Sequence, residues 1–259
     1  MKTISDLYEL IDGFAPFSTQ LDFDNSGLCV GDPSAQVEGI LLTTDVTPEV
    51  VDEAVEKDCN VIISHHPVIF KGVKEIVAGK GMLYDVIAKA VKADVALIAA
   101  HTNLDDCDGG LNDYVAQELG LQVTDSGECL RIGELETDAT VTLGEYAAFV
   151  ADKLGDPTVR YVGDDDKIIQ TVAVGTGAGG RDEKLIAALA EKGVDAFVTA
   201  EVKHSVALEA KAAGVGIIEC THHATEKCAC AVLGELLDSV GYEYFISEKD
   251  EDPYKPVKN

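Results

Sequence analysis

Three apolar runs, each the length of a buried strand and each leading into histidine, constrain this chain more than any other feature. Val61-Ile-Ile63 leads into His65-His66, Val95-Ala-Leu-Ile-Ala-Ala100 into His101, and Val215-Gly-Ile-Ile218 into His222-His223. Short apolar runs alternating with helix-period segments predict a parallel sheet covered on both faces, the α/β class. Such folds bind ligands beyond the carboxyl ends of their strands. Five of the six histidines, all but His204, fall there. Two of the runs also set a carboxylate four positions after a histidine, His101…Asp105 and His222…Glu226. Imidazole mixed with carboxylate suits Zn, Mn or Fe better than an all-oxygen Ca or Mg cage.

Around these runs the pattern predicts helices over 3–13, 49–57, 82–92 and 110–119, and strands near 28–30 and 39–43. Thr47-Pro48 is a helix opening with proline at its first position. A variable stretch over 125–140 precedes a helix over 143–154, whose start Thr142-Leu-Gly-Glu145 has capping-box spacing. Turns are expected at Asp156-Pro157 and over 163–166. Strands at 171–174 and 196–199, helices at 182–192, 205–213 and 225–239, and a strand at 242–246 complete the chain, with a frayed tail over 248–259. The segment 56–66 aligns without gaps on 191–201, and 93–98 on 213–218, which predicts an internal duplication. The expected units are 1–125 and 126–259, the C-terminal elements being free to pack on the first. Each unit would carry half of one site.

His65 and His66 would point to opposite faces on a regular strand, but beyond a strand end and before Pro67 each can serve a different ion. Asp105 and Glu226 would supply oxygens, and a carboxylate can bridge two cations about 3.5–4 Å apart. Asp106 and Asp108 compete with Asp105, and His223 competes with His222; the helical turn between His222 and Glu226 favours His222. Gly175-Thr-Gly177-Ala-Gly179-Gly180-Arg181 matches G-x-G-x-x-G between a strand and a helix. Three readings of it stay open: amides of Gly177, Gly179 and Gly180 cradling a phosphate, a plain glycine turn, or a dinucleotide site with Asp195 on the ribose. Cys228-Ala-Cys230 reads as core packing, since residues two apart on a helix diverge.

With 47 acidic and 20 basic residues in 259, the formal net charge is −27. That field repels nucleic acid and anionic lipid. Seven cysteines, several inside apolar runs, and the lack of an apolar leader or membrane-length segment suit a reduced, cytoplasmic protein.

Asp24-Asn-Ser-Gly27-Leu, Ser64-His-His-Pro67, His101-Thr-Asn-Leu-Asp105, Thr199-Ala-Glu201-Val-Lys-His204 and Thr221-His-His-Ala-Thr-Glu226 together resemble the NIF-three-like family. Its members are commonly labelled GTP cyclohydrolase 1 type 2 homologues. The resemblance runs from about residue 5 to 247 and matches the short form without an inserted domain. It implies two similar α/β domains with facing sheets, two divalent cations (Zn, Fe or Mn) held by His65, His66, Asp105, His222 and Glu226, and a homohexamer built as a trimer of dimers. Ala200 and Ser205 depart from the family pattern in the pocket wall. The function so implied is a metal-dependent hydrolase acting on a nucleotide-like or phosphate-bearing small molecule, with His101 and Glu201 moving protons. The contrasting possibility is a non-catalytic metal-binding protein, a metallochaperone or regulatory hexameric assembly protein.

Overall fold

In the computed structural model, which describes residues 2–257, helices and strands alternate over most of the chain. The first stretch runs α1 (Ile4–Phe14), β1 (Gly27–Val30), β2 (Ile40–Thr43), α2 (Pro48–Glu56), β3 (Val61–Ser64), α3 (Met82–Ala93), β4 (Ala96–Ala99) and α4 (Thr102–Asp106). Then come α5 (Leu111–Glu118), β5 (Leu121–Gly127), β6 (Leu130–Leu135), β7 (Val141–Thr142), α6 (Leu143–Leu154), β8 (Arg160–Val162), β9 (Ile168–Ile169) and β10 (Thr171–Val174). The remainder is α7 (Glu183–Glu191), β11 (Ala196–Ala200), α8 (His204–Ala213), β12 (Gly216–Cys220), α9 (His222–Glu226), α10 (Ala229–Ser239) and β13 (Phe245–Ile246).

The chain forms two compact units, Met1–Gly110 with Ala229–Glu251, and Leu111–Cys228 with Asp252–Asn259. The boundary expected at 125/126 therefore falls at 110/111. The physical reason is α5, which packs on β5, β6 and β10 of the second unit. Likewise α10 packs on β2 of the first. The chain changes unit just after each His-x3-carboxylate segment, at Gly110–Leu111 and at Cys228–Ala229.

In the first unit the sheet order is β1-β4-β3-β2-β13, with β2, β3, β4 and β13 parallel and β1 antiparallel on the β4 edge. Every residue of β2, β3 and β4 is buried, as the unbroken apolar runs require. One face presents Leu41, Ile62 and Leu97 to Val50, Val51 and Ala54 of α2 and Val86 and Ala90 of α3. Thr3 and Asp6 form a reciprocal capping box at the start of α1, and Thr47 caps α2 ahead of Pro48.

The second unit has the order β5-β6-β10-β11-β12-β8. Its β10, β11 and β12 are parallel and β8 runs antiparallel on the β12 edge, the pairing pattern that β2, β3, β4 and β1 make in the first. Phe197, Ala173 and Ile217 pack against Ile186 and Leu189 of α7 and Val206 and Ala210 of α8. Thr142 and Glu145 close a capping box on α6.

Three expectations need correction. The stretch 125–140 contains most of a β-hairpin, β5–β6, whose outer strand is exposed at six of seven positions and so lacks an apolar signature. The helix expected over 225–239 is two, α9 and α10, separated at Lys227-Cys228. The tail is anchored well past 248: the Glu248 amide donates to Glu53 Oε1 at 2.9 Å, Asp250 accepts from the Thr44 amide, and Asp252 from the Thr221 hydroxyl. Residues 258–259 of that tail lie outside the described residues.

Candidate metal-binding groups

The first unit gathers His65, His66 and His101 at the ends of β3 and β4. Parallel pairing in register puts these ends side by side, Ser64 opposite Ala99. The three rings stand with centroids 5.0 to 5.3 Å apart. One ligand nitrogen from each lies within 4.8 Å of the other two, a group able to hold a metal ion. His65 Nε2 faces Asp105 Oδ1 at 3.5 Å.

Each ring is fixed from behind. His65 Nδ1 is 2.9 Å from the Ala100 carbonyl, His66 Nδ1 is 3.0 Å from Asp45 Oδ1, and His101 Nδ1 is 2.9 Å from Asp24 Oδ1. A carbonyl or carboxylate oxygen only accepts, so each Nδ1 carries the proton and donates. That turns Nε2 toward the cluster, the arrangement by which outer partners orient metal-binding imidazoles.

Asp24 holds this corner. Its side chain is fully buried and also accepts from the Thr102 amide and hydroxyl, at 3.1 and 2.5 Å. Burial alone would raise the Asp24 carboxyl, but hydrogen bonds from His101 and Thr102 outweigh it and hold the group well below the usual range. For His101 burial dominates, reinforced by the neighbouring His65 and His66, and its pKa is lowered despite Asp24. The shift favours the neutral imidazole, the form that binds a cation.

In the second unit His222 opens α9, whose cap Thr221 accepts from the Ala224 amide. His222 Nδ1 meets Glu201 Oε1 at 2.7 Å and Nε2 meets Glu226 Oε2 at 2.8 Å. His222, not His223, is thus the ring set against Glu226. Glu201 directly follows β11 with φ at +54°, a left-handed conformation that costs a non-glycine residue and clusters at functional sites. It also contacts Arg181. Glu201 touches His222 from behind, which makes it a positioning residue as placed. Buried Asp156 accepts from the Thr221 amide at 2.7 Å and steadies the start of α9.

The glycine loop has a packing explanation. Gly177 lies at φ +58°, and a Cβ there would collide with Glu226 Oε1 and approach His222 Nε2 to 3.2 Å. A Cβ on Gly179 would come within 2.8 Å of Thr199 Oγ1, and one on Gly180 would press into Ala200 and Val202. The amides of Thr176 and Gly177 already donate to Asn112 and Thr225. Asp182 occupies the α7 N-cap, accepting from Lys184. Asp195 accepts from the Gln170 and Thr171 amides. These contacts account for the motif without a phosphate or a ribose.

Residue-by-residue reading of the sequence missed the carboxylates behind the rings, Asp24, Asp45 and Glu201 in that role. A usable signal existed for two of them. Asp45 and Glu201 each follow the parallel strand beside the one that ends at their histidine, each 21 positions upstream.

No cysteine belongs to a metal-capable group among the described residues. None of the seven forms a disulfide, and burial pushes Cys29 up to about 11 and Cys220 up to about 12. No helix among the described residues is long and apolar enough to cross a membrane.

Fold and side chains together define an α/β protein with histidine and carboxylate groups able to hold a metal ion at its strand ends. The chain belongs to the Duf34/NIF3 (NGG1p interacting factor 3) family, whose profile matches residues 2–253. It is 32% identical to a Clostridium acetobutylicum protein named GTP cyclohydrolase 1 type 2 homolog, over 97% of this chain and 98% of that one. Among solved structures it resembles Staphylococcus aureus protein SA1388 with a TM-score of 0.87 and 29% identity, covering 99% of each chain. A Bacillus cereus protein related to NIF3 gives 0.86 at 25% identity, again over 99% of both chains.

Proposed function

We propose that the protein binds two divalent cations through His65, His66, Asp105, His222 and Glu226 and hydrolyses a nucleotide-like or phosphate-bearing small molecule. One observation carries the reading: His65, His66, His101 and His222 all have Nδ1 held by an oxygen acceptor. Four rings held alike at Nδ1 suit a common role for the opposite nitrogen, Nε2. His65 Nε2 and His222 Nε2 also face carboxylate oxygens, at 3.5 and 2.8 Å. Two acceptors so opposed need a proton or a cation between them.

The cations, when bound, lower the pKa of water toward neutrality and offset charge developing on the substrate. Asp45, Asp24 and Glu201 keep the rings in the binding tautomer. His101, held at Nδ1 by Asp24, can join the ligand set or accept a proton through Nε2. Homologues carrying the name GTP cyclohydrolase 1 type 2 homolog support a purine nucleotide among the first substrates to try. A homohexamer and a cytoplasmic setting complete the proposal.

Elemental analysis of protein purified without added metal, followed by substrate screening of the reconstituted protein, tests it. Two metal equivalents per chain are expected, with loss of metal and turnover in His66→Ala and Glu226→Gln. Equal turnover in all three proteins would remove the enzyme, and a metal-free wild type would remove the centre. Light scattering should give six times the monomer mass.

A further inference from the structure

We propose that Phe70, Lys71 and Lys74 form a recognition element for a planar ring bearing an anionic group. The inference rests on the proposed metal-dependent hydrolase, since it assigns the substrate-reading side of the same site. It concerns the irregular segment 67–81, which joins His66 to α3.

Phe70 lies at the histidine cluster. Its ring meets His101 at 85° with centroids 5.6 Å apart, yet the residue is 44% exposed. The segment is pinned here, because the Asn25 side-chain amide donates to the Ile69 carbonyl at 2.6 Å. Asn25 directly follows Asp24, the residue that orients His101, so one short stretch holds that ring and the backbone just ahead of Phe70. An aromatic ring set against a polar imidazole and left open forgoes burial that a core position would give it. A flat ligand would recover that loss by stacking, which is tolerant of ring identity.

Charge points to the rest of the ligand. The chain carries −27 overall, yet residues 67–83 hold three lysines and one acid. Lys80 is paired with Glu75 at 2.8 Å. Lys71 and Lys74 are exposed, and neither has an ion pair with a described residue. Two exposed cations one and four positions after an open ring, on a protein that otherwise repels anions, suit an anionic substituent.

Equilibrium binding of three probes to wild type, Phe70→Leu and Lys71→Gln/Lys74→Gln would test this, each in metal-loaded and chelator-treated form. The probes are GTP, guanosine and inorganic triphosphate. Wild type is expected to bind GTP more tightly than either part. Phe70→Leu should weaken GTP and guanosine about tenfold and spare triphosphate. The double variant should weaken GTP and triphosphate and spare guanosine. Metal content should match wild type in both, which separates this element from the ion-binding reading. Unchanged affinities in the variants would overturn the proposal, as would a changed oligomeric state with probe binding intact, which would make Phe70 a subunit contact. If chelated protein keeps the same pattern of losses while metal content proves negligible, the recognition element stands and the metal reading falls.

Discussion

Replacing Asp24 by asparagine keeps the shape and removes the charge, and the structure says what that does. Oδ1 accepts from the Asn25 amide at 2.7 Å and from His101 Nδ1 at 2.9 Å. Oδ2 accepts from the Thr102 amide and hydroxyl at 3.1 and 2.5 Å, and from the Ser26 hydroxyl at 3.1 Å. An asparagine NH2 at Oδ2 lets the two hydroxyls rotate but sets a donor against the Thr102 N–H. One buried donor without a partner costs about 1–3 kcal/mol. An NH2 at Oδ1 faces the Asn25 N–H, and faces His101 unless that ring moves its proton to Nε2, the atom needed for a cation. Weakening the remaining bonds from charge-assisted to neutral costs roughly 1 kcal/mol more. The sum is a loss of about 2–4 kcal/mol for the first unit, together with a drop of about 10- to 100-fold in metal affinity. Urea unfolding of chelator-treated protein reads the first quantity, and metal titration the second. A variant within about 0.5 kcal/mol of wild type that keeps full metal affinity would refute the claim that this carboxylate orients His101.

Other outcomes follow from the same contacts. Burial raises the Glu53 carboxyl, but hydrogen bonds from Ser247 and the Glu248 amide, with Lys57 nearby, outweigh it and leave the group below its ordinary value. Its contribution is therefore complete above the unfolded carboxyl pKa of about 4.3 and is lost as pH falls through the lower folded value. Acid titrations of stability should accordingly show wild type and Glu53→Gln converging below about pH 4.3, and a constant gap would contradict this. Gly177→Ala adds a Cβ against Glu226 at φ +58°; a loss of about 2 kcal/mol in unfolding free energy and reduced metal content are expected. Thr142→Ala removes the cap of α6 and should cost about 1 kcal/mol by thermal or chemical unfolding, with metal content unchanged. Chelation of holoprotein is expected to lower the melting temperature, since free metal at 100 times its Kd contributes about 2.7 kcal/mol; an unaltered melting curve would argue against a folded-state site.

The fold class, the strand ends and the candidate imidazoles were legible in the sequence because each depends on local periodicity. Val61-Ile-Ile63 is buried on both sides in any parallel sheet, so its apolar run is unbroken and the histidines after it must lie at an edge. Capping at Thr142 and Thr47 is likewise a matter of neighbours. The hairpin at 121–135 escaped notice because an exposed edge strand can be built from polar residues. The glycine motif left more than one reading open because a phosphate cradle and a tight approach by Glu226 demand the same missing Cβ at Gly177.

Composition and pattern thus determined the α/β class and which side chains are available for chemistry, since hydrophobic period and turn chemistry act over a few residues. What supports those side chains from behind was decided only in three dimensions. Asp24 and His101 are 77 positions apart, and the Glu201 carboxylate reaches His222 only because β11 and β12 lie in parallel register. The swap of α5 and α10 between the units is equally a product of tertiary packing, because a helix's apolar face fits more than one sheet and the completed core selects which.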